Sequence, residues 1–124
     1  MKRVLVAEDD PDTAALIRAT LEERLPIAVD HVTNGALVLD QISATHPDLV
    51  ILDVSMPGLN GIDVFDLLRG TSLDVPVLFL TAMPERAEQV FAHFGTHDVM
   101  AKPFDADALV ARVDDLLARA ARVA

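Results

Sequence analysis

The sequence contains no cysteine, no tryptophan and no tyrosine among its 124 residues. The absence of cysteine excludes disulfide bonds, thiolate metal sites and cysteine nucleophiles. Aromatic residues make up only 4% of the chain, whereas 52% of its residues are hydrophobic. We therefore expect a core of aliphatic side chains, which is typical of a parallel sheet that is buried on both faces.

Long apolar runs and positive charge are also scarce. No run approaches the roughly 20 apolar residues that a membrane helix requires. The apolar run at residues 4–7 is followed at once by three acids, which does not fit a secretory signal. Ten Lys and Arg residues stand against 20 Asp and Glu residues, and the resulting net charge of −10 repels the phosphates of nucleic acids. We expect a cytoplasmic domain that binds neither membranes nor nucleic acid directly.

Short apolar runs alternate with segments of helical periodicity along the whole chain, and its length fits a single domain, residues 1–124. The runs predict five strands, at residues 4–7, 27–32, 49–52, 75–80 and 99–101. Five helices are predicted between and after these strands. The first is opened by Asp10 and Pro11, and the second is capped by Asn34 and carries Leu37 and Ile42. The third contains Val64, Leu67 and Leu68 and ends at Gly70, and the fourth runs from about Pro84 to Gly95. The fifth begins at about Asp105 and has Leu109, Val113, Leu116 and Ala120 on one face.

This alternation predicts an α/β fold with helices on both faces of a parallel sheet. Right-handed crossovers make it a doubly wound five-stranded sheet of order 2-1-3-4-5, which is flavodoxin-like. In such folds the functional site lies beyond the carboxyl ends of the strands, near the switch in strand order.

Polar side chains stand at the carboxyl ends of four predicted strands. Glu8 and Asp9 follow the first strand, Asp53 ends the third, Thr81 ends the fourth and Lys102 follows the fifth. Two carboxylates about 5 Å apart repel by roughly 3 kcal/mol at an effective dielectric of about 20, so the converging acids favour a cation. Oxygen ligands and room for water favour Mg²⁺ over Mn²⁺ or Ca²⁺.

Each of these residues has a common structural role when it is taken alone. An acid at a strand end is usually a helix cap or a loop residue, which is how we interpret Asp10. Thr81 alone would be a turn residue, and Lys102 before a proline would be a surface residue. Their joint occurrence at four strand ends instead predicts a site where Lys102 and Thr81 bind a phosphoryl group that is carried by an aspartate.

Four segments resemble the receiver domains of two-component response regulators, and together they span nearly the whole chain. They are residues 4–11, residues 47–57 with Gly61, residues 80–82 and residues 95–104. The resemblance implies that Asp53 is the phosphoacceptor and that Glu8, Asp9, Asp53 and the Ser55 backbone carbonyl hold Mg²⁺, with Mn²⁺ as a substitute. It also implies that Thr81, Ala82 and Lys102 surround the phosphoryl group.

The sequence departs from the family at one position. Many receivers carry Tyr or Phe three residues before the site lysine, where this chain has Val99. The acceptor chemistry does not involve that residue, but an aromatic switch is not available here. We expect Thr81 to carry the switch and Val99 to be a packing residue.

The resemblance also implies partners. The phosphoryl group would come from a sensor histidine kinase or a phosphotransfer protein, and the domain would be a signalling module rather than an enzyme beyond its own phosphorylation and dephosphorylation. The last predicted helix resembles that of receivers which precede winged-helix DNA-binding domains and which dimerise when phosphorylated. Asp98 and Arg112 match two positions of that dimer face.

Three other functions fit the sequence less well. A haloacid-dehalogenase-like phosphohydrolase needs D-x-D-x-T after the first strand, but the stretch from Asp10 to Ala14 has Ala in place of the required Thr. A P-loop nucleotide enzyme is excluded because its glycine-rich motif is absent. A receiver that serves only as an interaction module would lack phosphorylation by a small phosphodonor.

Overall fold

Five parallel strands form the centre of the fold in this computed structural model, in which residues 1–54, 75–81 and 97–122 are described. The strands are β1 (Lys2–Ala7), β2 (Ile27–Val32), β3 (Leu49–Asp53), β4 (Val77–Thr81) and β5 (His97–Ala101). They lie in the order β2-β1-β3-β4-β5, and every neighbouring pair is parallel. The predicted order 2-1-3-4-5 is confirmed.

The first helix, α1 (Pro11–Arg24), begins as the sequence predicts. The Asp10 side chain accepts a hydrogen bond from the Asp12 backbone N–H, and Pro11 occupies the first turn, where a missing N–H costs nothing. The helix ends before Pro26, which cannot donate the hydrogen bond of a further turn. The interpretation of Asp10 as a cap is confirmed.

The second predicted helix divides into two elements. Asn34 caps a 3₁₀ helix, Gly35–Leu37, where its side-chain oxygen accepts a hydrogen bond of 2.8 Å from the Ala36 backbone N–H. The helix α2 (Val38–Thr45) follows directly. Of the two apolar residues that the sequence assigns to this helix, Ile42 is buried, whereas Leu37 is 49% exposed and its neighbour Val38 is buried instead. The tighter winding of a 3₁₀ turn rotates each residue further than an α-helix does, which moves the buried face by one residue.

The last helix, α3 (Ala106–Arg122), begins one residue after its predicted start. The carboxylate of Asp105 accepts a hydrogen bond of 3.0 Å from the backbone N–H of Ala108 and so caps the first turn. Three of the four residues that were predicted for its inner face are buried, namely Leu109, Val113 and Leu116. The side chain of Ala120, the fourth, lies outside the described residues.

Two strands differ from their predicted limits. β4 begins at Val77 rather than at residue 75, because Pro76 cannot donate to a ladder. β5 begins at His97, two residues before its predicted start, since the backbones of His97 and Asp98 pair with β4 although their side chains are polar. The ladder depends on backbone groups, so an edge strand extends beyond its apolar run.

The core lies on both faces of the sheet, as side chains alternate along each strand. On the first face, Val4 and Val6 pack with residues of α1 and α3. On the second face, Leu5 and Ala7 pack with residues of α2. Complete burial of one such side chain contributes roughly 1.5–3 kcal/mol for the larger residues, and this aliphatic packing positions the strand ends.

Several predicted features lie outside the described residues. They are Ser55, the loop that follows it, the helix predicted to end at Gly70, Ala82, and the helix predicted from Pro84 to Gly95. Within the part of the chain that is described, none of the helices has the length and apolarity needed to cross a bilayer.

Candidate functional site

Three carboxylates converge at the carboxyl edge of the sheet. β1 and β3 are neighbours with Ala7 opposite Leu52, so the residues that follow Ala7 lie beside Asp53. Carboxylate oxygens of Glu8, Asp9 and Asp53 all lie within 4.8 Å of one another. The strand order therefore brings together acids that are more than 40 positions apart in the sequence, as the sequence predicts.

The burial of the three acids differs. Glu8 and Asp53 are 1% and 5% exposed, whereas Asp9 is exposed to solvent. Burial raises the pKa of the Glu8 carboxyl, and the negative charge of Asp53 raises it further, while the hydrogen bond from Lys102 opposes both effects. The carboxylates of the cluster therefore repel one another, and a positive charge in addition to that of Lys102 would reduce this repulsion.

Lys102 supplies one positive charge to this cluster. Its ammonium group donates to Glu8 Oε2 at 2.9 Å and lies 3.2 Å from Asp53 Oδ2. Burial lowers the pKa of Lys102, but its contacts with Glu8 and Asp53 outweigh that effect, and its pKa is raised overall. Lys102 therefore remains charged and bridges two of the three acids. Its contact with Glu8 was not predicted from the sequence.

Thr81 lies on the strand next to the acceptor. Asp53 is opposite Leu80 in the β3–β4 ladder, so Thr81 is one residue beyond that pair, and it is 8% exposed. Its backbone carbonyl accepts a hydrogen bond of 2.8 Å from the Lys102 N–H. This bond ties the segment that carries the lysine to the end of β4.

The backbone of Glu8 is held on both sides. Its N–H donates to the Val32 carbonyl at 3.1 Å, and its own carbonyl accepts a hydrogen bond of 2.9 Å from Nε2 of His31. Its carboxylate also accepts from the Asp10 N–H at 3.3 Å. Reasoning from the sequence missed His31, whose only signal is a polar side chain near the end of β2.

The donor set fits Mg²⁺. Each of the three acids offers a carboxylate oxygen, a hard ligand that Mg²⁺ prefers, and the exposed position of Asp9 leaves room for water or phosphate oxygens. Glu8, Asp9 and Asp53 are the described residues that would hold the ion. Ser55 and Ala82, which the resemblance adds to the site, lie outside the described residues.

The residues predicted for a dimer face pair within one chain. Arg112 Nη1 lies 2.7 Å from Asp98 Oδ1 and 3.5 Å from the Val99 carbonyl oxygen, which links α3 to β5. Val99 itself is half-buried and packs against the apolar cluster of the second face.

An open groove adjoins the acidic cluster. It has a volume of about 380 Å³ and is lined by Thr13, Leu16, Lys102, Pro103 and Phe104. Leu16 is 58% exposed there. Lys102 lines the groove and also contacts Glu8 and Asp53, so the groove and the cluster share this residue.

Comparisons with known proteins find similar sequences and a similar fold. A family model described as "Response regulator receiver domain" matches residues 4–114. The response regulator MprA of Mycobacterium tuberculosis is 38% identical over 118 residues, and the transcriptional activator protein IrlR of Burkholderia pseudomallei is 42% identical over 118 residues. Each match covers 94% of this chain and 51% of the relative, so the chain spans about half the length of these relatives.

A solved structure, the receiver domain of the Francisella response regulator 1452, superposes with a TM-score of 0.87 at 32% identity. That match covers 96% of this chain and 98% of the Francisella chain. The fold described above is therefore shared along nearly the full length of both.

Proposed function

Because this chain belongs to the family of response-regulator receiver domains, in which phosphorylation drives switching, we propose that Asp53 accepts a phosphoryl group in a Mg²⁺-dependent reaction. The observation that carries the proposal is the position of the buried Asp53 carboxylate, which lies beside Glu8 and Asp9 and 3.2 Å from the Lys102 ammonium. The domain is a signalling domain, and the chemistry that we propose for it is limited to gaining and losing this phosphoryl group.

The reaction is a displacement at phosphorus. A carboxylate oxygen of Asp53 bonds to phosphorus as the bond to the donor breaks, and the donor group leaves with the bonding electrons, which gives an acyl phosphate. A bound Mg²⁺, or Mn²⁺ in its place, would supply positive charge that neutralises the phosphoryl oxygens. Glu8, Asp9 and the backbone carbonyl of Ser55 complete its proposed ligand set.

Lys102 and Thr81 act on the product in this proposal. The Lys102 ammonium group, which now bridges Glu8 and Asp53, would form a charge-assisted contact with the new phosphoryl oxygens. The hydroxyl of Thr81 donates a hydrogen bond to the same group.

Mass spectrometry with a small phosphodonor tests the proposal. Incubation with acetyl phosphate and Mg²⁺ should add the mass of one phosphoryl group, and excess EDTA should prevent the gain. Hydroxylamine should then remove the group, because it cleaves acyl phosphates and leaves phosphoserine and phosphothreonine intact. A chain that gains no mass would instead be an interaction module of the receiver fold.

Replacing Asp9 with Asn should weaken Mg²⁺ binding by at least about tenfold, or roughly 1.4 kcal/mol, since one ligand charge is lost. The metal-free fold should not be destabilised, because the substitution removes repulsion from the cluster. Isothermal titration calorimetry measures the affinity, because the chain has no Trp or Tyr whose fluorescence could report binding.

The matched control is Asp12→Asn, which makes the same charge change at an exposed residue nearby. It should bind Mg²⁺ like the wild type, whereas Asp12 would be essential in a phosphohydrolase of the D-x-D type. Equal affinities for Asp9→Asn and the wild type would place the metal site elsewhere.

We propose a histidine kinase or a phosphotransfer protein as the phosphodonor, with the domain in the cytoplasm where ATP supplies phosphoryl groups. A donor protein has to bring its phosphohistidine to Asp53 and must therefore contact the surface around it. The groove beside Lys102 offers the exposed Leu16 for this contact. The groove sets Leu16 beside Pro103 and Phe104, and grouped apolar side chains at a surface are a feature of protein-binding sites.

Replacing Leu16 with Glu should slow transfer from a histidine kinase that phosphorylates the wild type by about tenfold, which corresponds to roughly 1.4 kcal/mol of lost contact. Phosphorylation by acetyl phosphate should not change, since that donor needs no protein contact. Leu37→Glu is the control, because Leu37 is similarly exposed and lies outside the groove. A kinase that transfers equally to both variants would contradict this docking surface.

We also propose that phosphorylation promotes a symmetric dimer through the face that contains Asp98 and Arg112. The ion pair of Arg112 and Asp98, 2.7 Å long within one chain, can be exchanged for the same pair between two chains, so dimer formation need not leave either charge unpaired.

The net charge of −10 repels the phosphates of DNA, so we propose that the domain itself does not contact DNA.

Light scattering with and without beryllofluoride, a phosphoryl mimic, tests the dimer. The wild type should become dimeric with the mimic, and Arg112→Ala should remain monomeric because the Asp98 partner is lost. Arg18→Ala is the control, since Arg18 is an exposed arginine of α1 that pairs with Glu22 and lies outside the Asp98 and Arg112 face. A wild type that stays monomeric at high concentration with the mimic would refute the proposal.

A further inference from the structure

The end of β1 needs support that the sheet alone does not supply. The β1–β3 ladder stops at the pair of Ala7 and Leu52, so no paired residue of β3 lies opposite Glu8. Glu8 is only 1% exposed, and a buried carbonyl that lacks a donor is costly. The carbonyl of Glu8 therefore requires a hydrogen bond from another part of the molecule.

His31 provides that hydrogen bond from the neighbouring strand. It lies opposite Val6 in the β1–β2 ladder, and its side chain reaches two residues further to the Glu8 carbonyl, at 2.9 Å. Since a carbonyl oxygen only accepts, Nε2 of the ring must carry the hydrogen. The Glu8 N–H donates to the next residue of β2, Val32, so both peptide groups of Glu8 are fixed by the end of β2.

The bond acts at the link between two of the acids. The peptide group that contains the Glu8 carbonyl is planar and includes the nitrogen and Cα of Asp9. Fixing the direction of that carbonyl restricts the direction in which the Asp9 side chain leaves the backbone. Glu8 has other restraints on its carboxylate, namely the Asp10 N–H and Lys102, whereas Asp9 is exposed.

We infer that His31 is a positioning residue for the metal site, which orients the Glu8–Asp9 peptide so that both carboxylates point at the same ion. The inference rests on the proposed function, since it concerns the Mg²⁺ that Glu8 and Asp9 are proposed to hold. Residues that orient metal ligands from outside the ligand set typically change metal affinity by roughly 10- to 100-fold. His31 acts one bond further away, through the backbone, so a change of about 3- to 10-fold is expected.

Two substitutions separate the hydrogen bond from the packing of the ring. His31→Leu retains a side chain of similar volume but has no hydrogen-bond donor, and it should weaken Mg²⁺ binding by about 3- to 10-fold in calorimetry. His31→Gln places an amide N–H near the position of Nε2 and should restore the affinity to that of the wild type. Thermal unfolding in EDTA compares the stabilities, and the affinity should follow the donor and not the stability.

Equal affinities for the wild type and both variants would overturn the inference, and so would an equal loss in both, because the donor would then not matter. The wild type offers a second measurement that does not depend on the variants folding. Nitrogen NMR should find hydrogen on Nε2 of His31 with and without Mg²⁺, and a ring with hydrogen on Nδ1 alone would overturn the inference. If the wild type failed to bind Mg²⁺ at all, the proposed function would fail and not this step alone.

Discussion

Asp53→Asn should gain no phosphoryl mass from acetyl phosphate and Mg²⁺, under conditions in which the wild type gains one group. An amide has no anionic oxygen to attack phosphorus. Asp53 combines burial, proximity to Glu8 and Asp9, and a lysine ammonium at 3.2 Å. The loss should be complete and not partial, because the substitution removes the nucleophile itself.

The matched control is Asp48→Asn, which makes the same change just before the start of the same strand. Asp48 is exposed at the opposite edge of the sheet, where its carboxylate accepts from the Arg3 N–H at 2.8 Å. This variant should be phosphorylated like the wild type. Equal labelling of Asp53→Asn and Asp48→Asn would show that the phosphoryl group resides on another side chain.

Asp53→Asn should nevertheless fold, so its failure to react has a chemical cause. The substitution removes one of two buried negative charges, and the bond from Lys102 to Glu8 at 2.9 Å can persist. The lost attraction to Lys102 is offset by the lost repulsion from Glu8. Circular dichroism and thermal unfolding without metal should show that the variant is intact.

The strand order and the convergence of the acids could be predicted from the sequence because both follow from strong local patterns. The three central strands, β1, β3 and β4, contain almost uninterrupted apolar runs, and the acids directly follow the runs of β1 and β3. Once the two strands are neighbours, Glu8 and Asp53 have to lie side by side. The packing of Ile17 and Leu21 on one face of α1 follows from helical spacing in the same way.

The contacts between side chains could not be predicted in this way. The position of the Lys102 ammonium between Glu8 and Asp53 depends on how the residues after β5 turn back toward the site, which no periodicity encodes. The hydrogen bond from His31 to the Glu8 carbonyl joins the ends of β1 and β2, and it depends on the rotamer of the His31 side chain, which the sequence pattern does not determine. The exposure of Leu37 depends on a 3₁₀ turn that a helical pattern does not distinguish from an α-helix.

The switch should depend on Thr81 and not on Val99. Side chains at alternate positions share a face of the sheet, so Thr81 lies on the face of Phe79, which is the partner of Val99 in the β4–β5 ladder. When the hydroxyl of Thr81 moves toward a phosphoryl group on Asp53, it leaves space on the face of the sheet that also carries Val99. Val99 is short and β-branched, and it cannot fill that space as an aromatic ring would.

Thr81→Ala should leave the phosphorylation of Asp53 largely intact but remove most of the response of α3 and most of the dimer formation. The substitution deletes the hydroxyl donor, while the backbone carbonyl that accepts from the Lys102 N–H is retained. Thr81→Ser keeps the hydroxyl and should respond like the wild type. Chemical shifts of α3 with and without beryllofluoride measure the response.

Val99→Ala should preserve the response and reduce only the stability. Two carbons are removed from a half-buried side chain, which costs roughly 1 kcal/mol in the free energy of unfolding. The Val99 carbonyl near Arg112 is unchanged by the substitution, so the link between β5 and α3 remains. Because the group that senses the phosphoryl oxygens is the Thr81 hydroxyl, a variant that keeps it should keep the switch. The opposite result, a response lost in Val99→Ala and kept in Thr81→Ala, would show that packing at β5 drives the change.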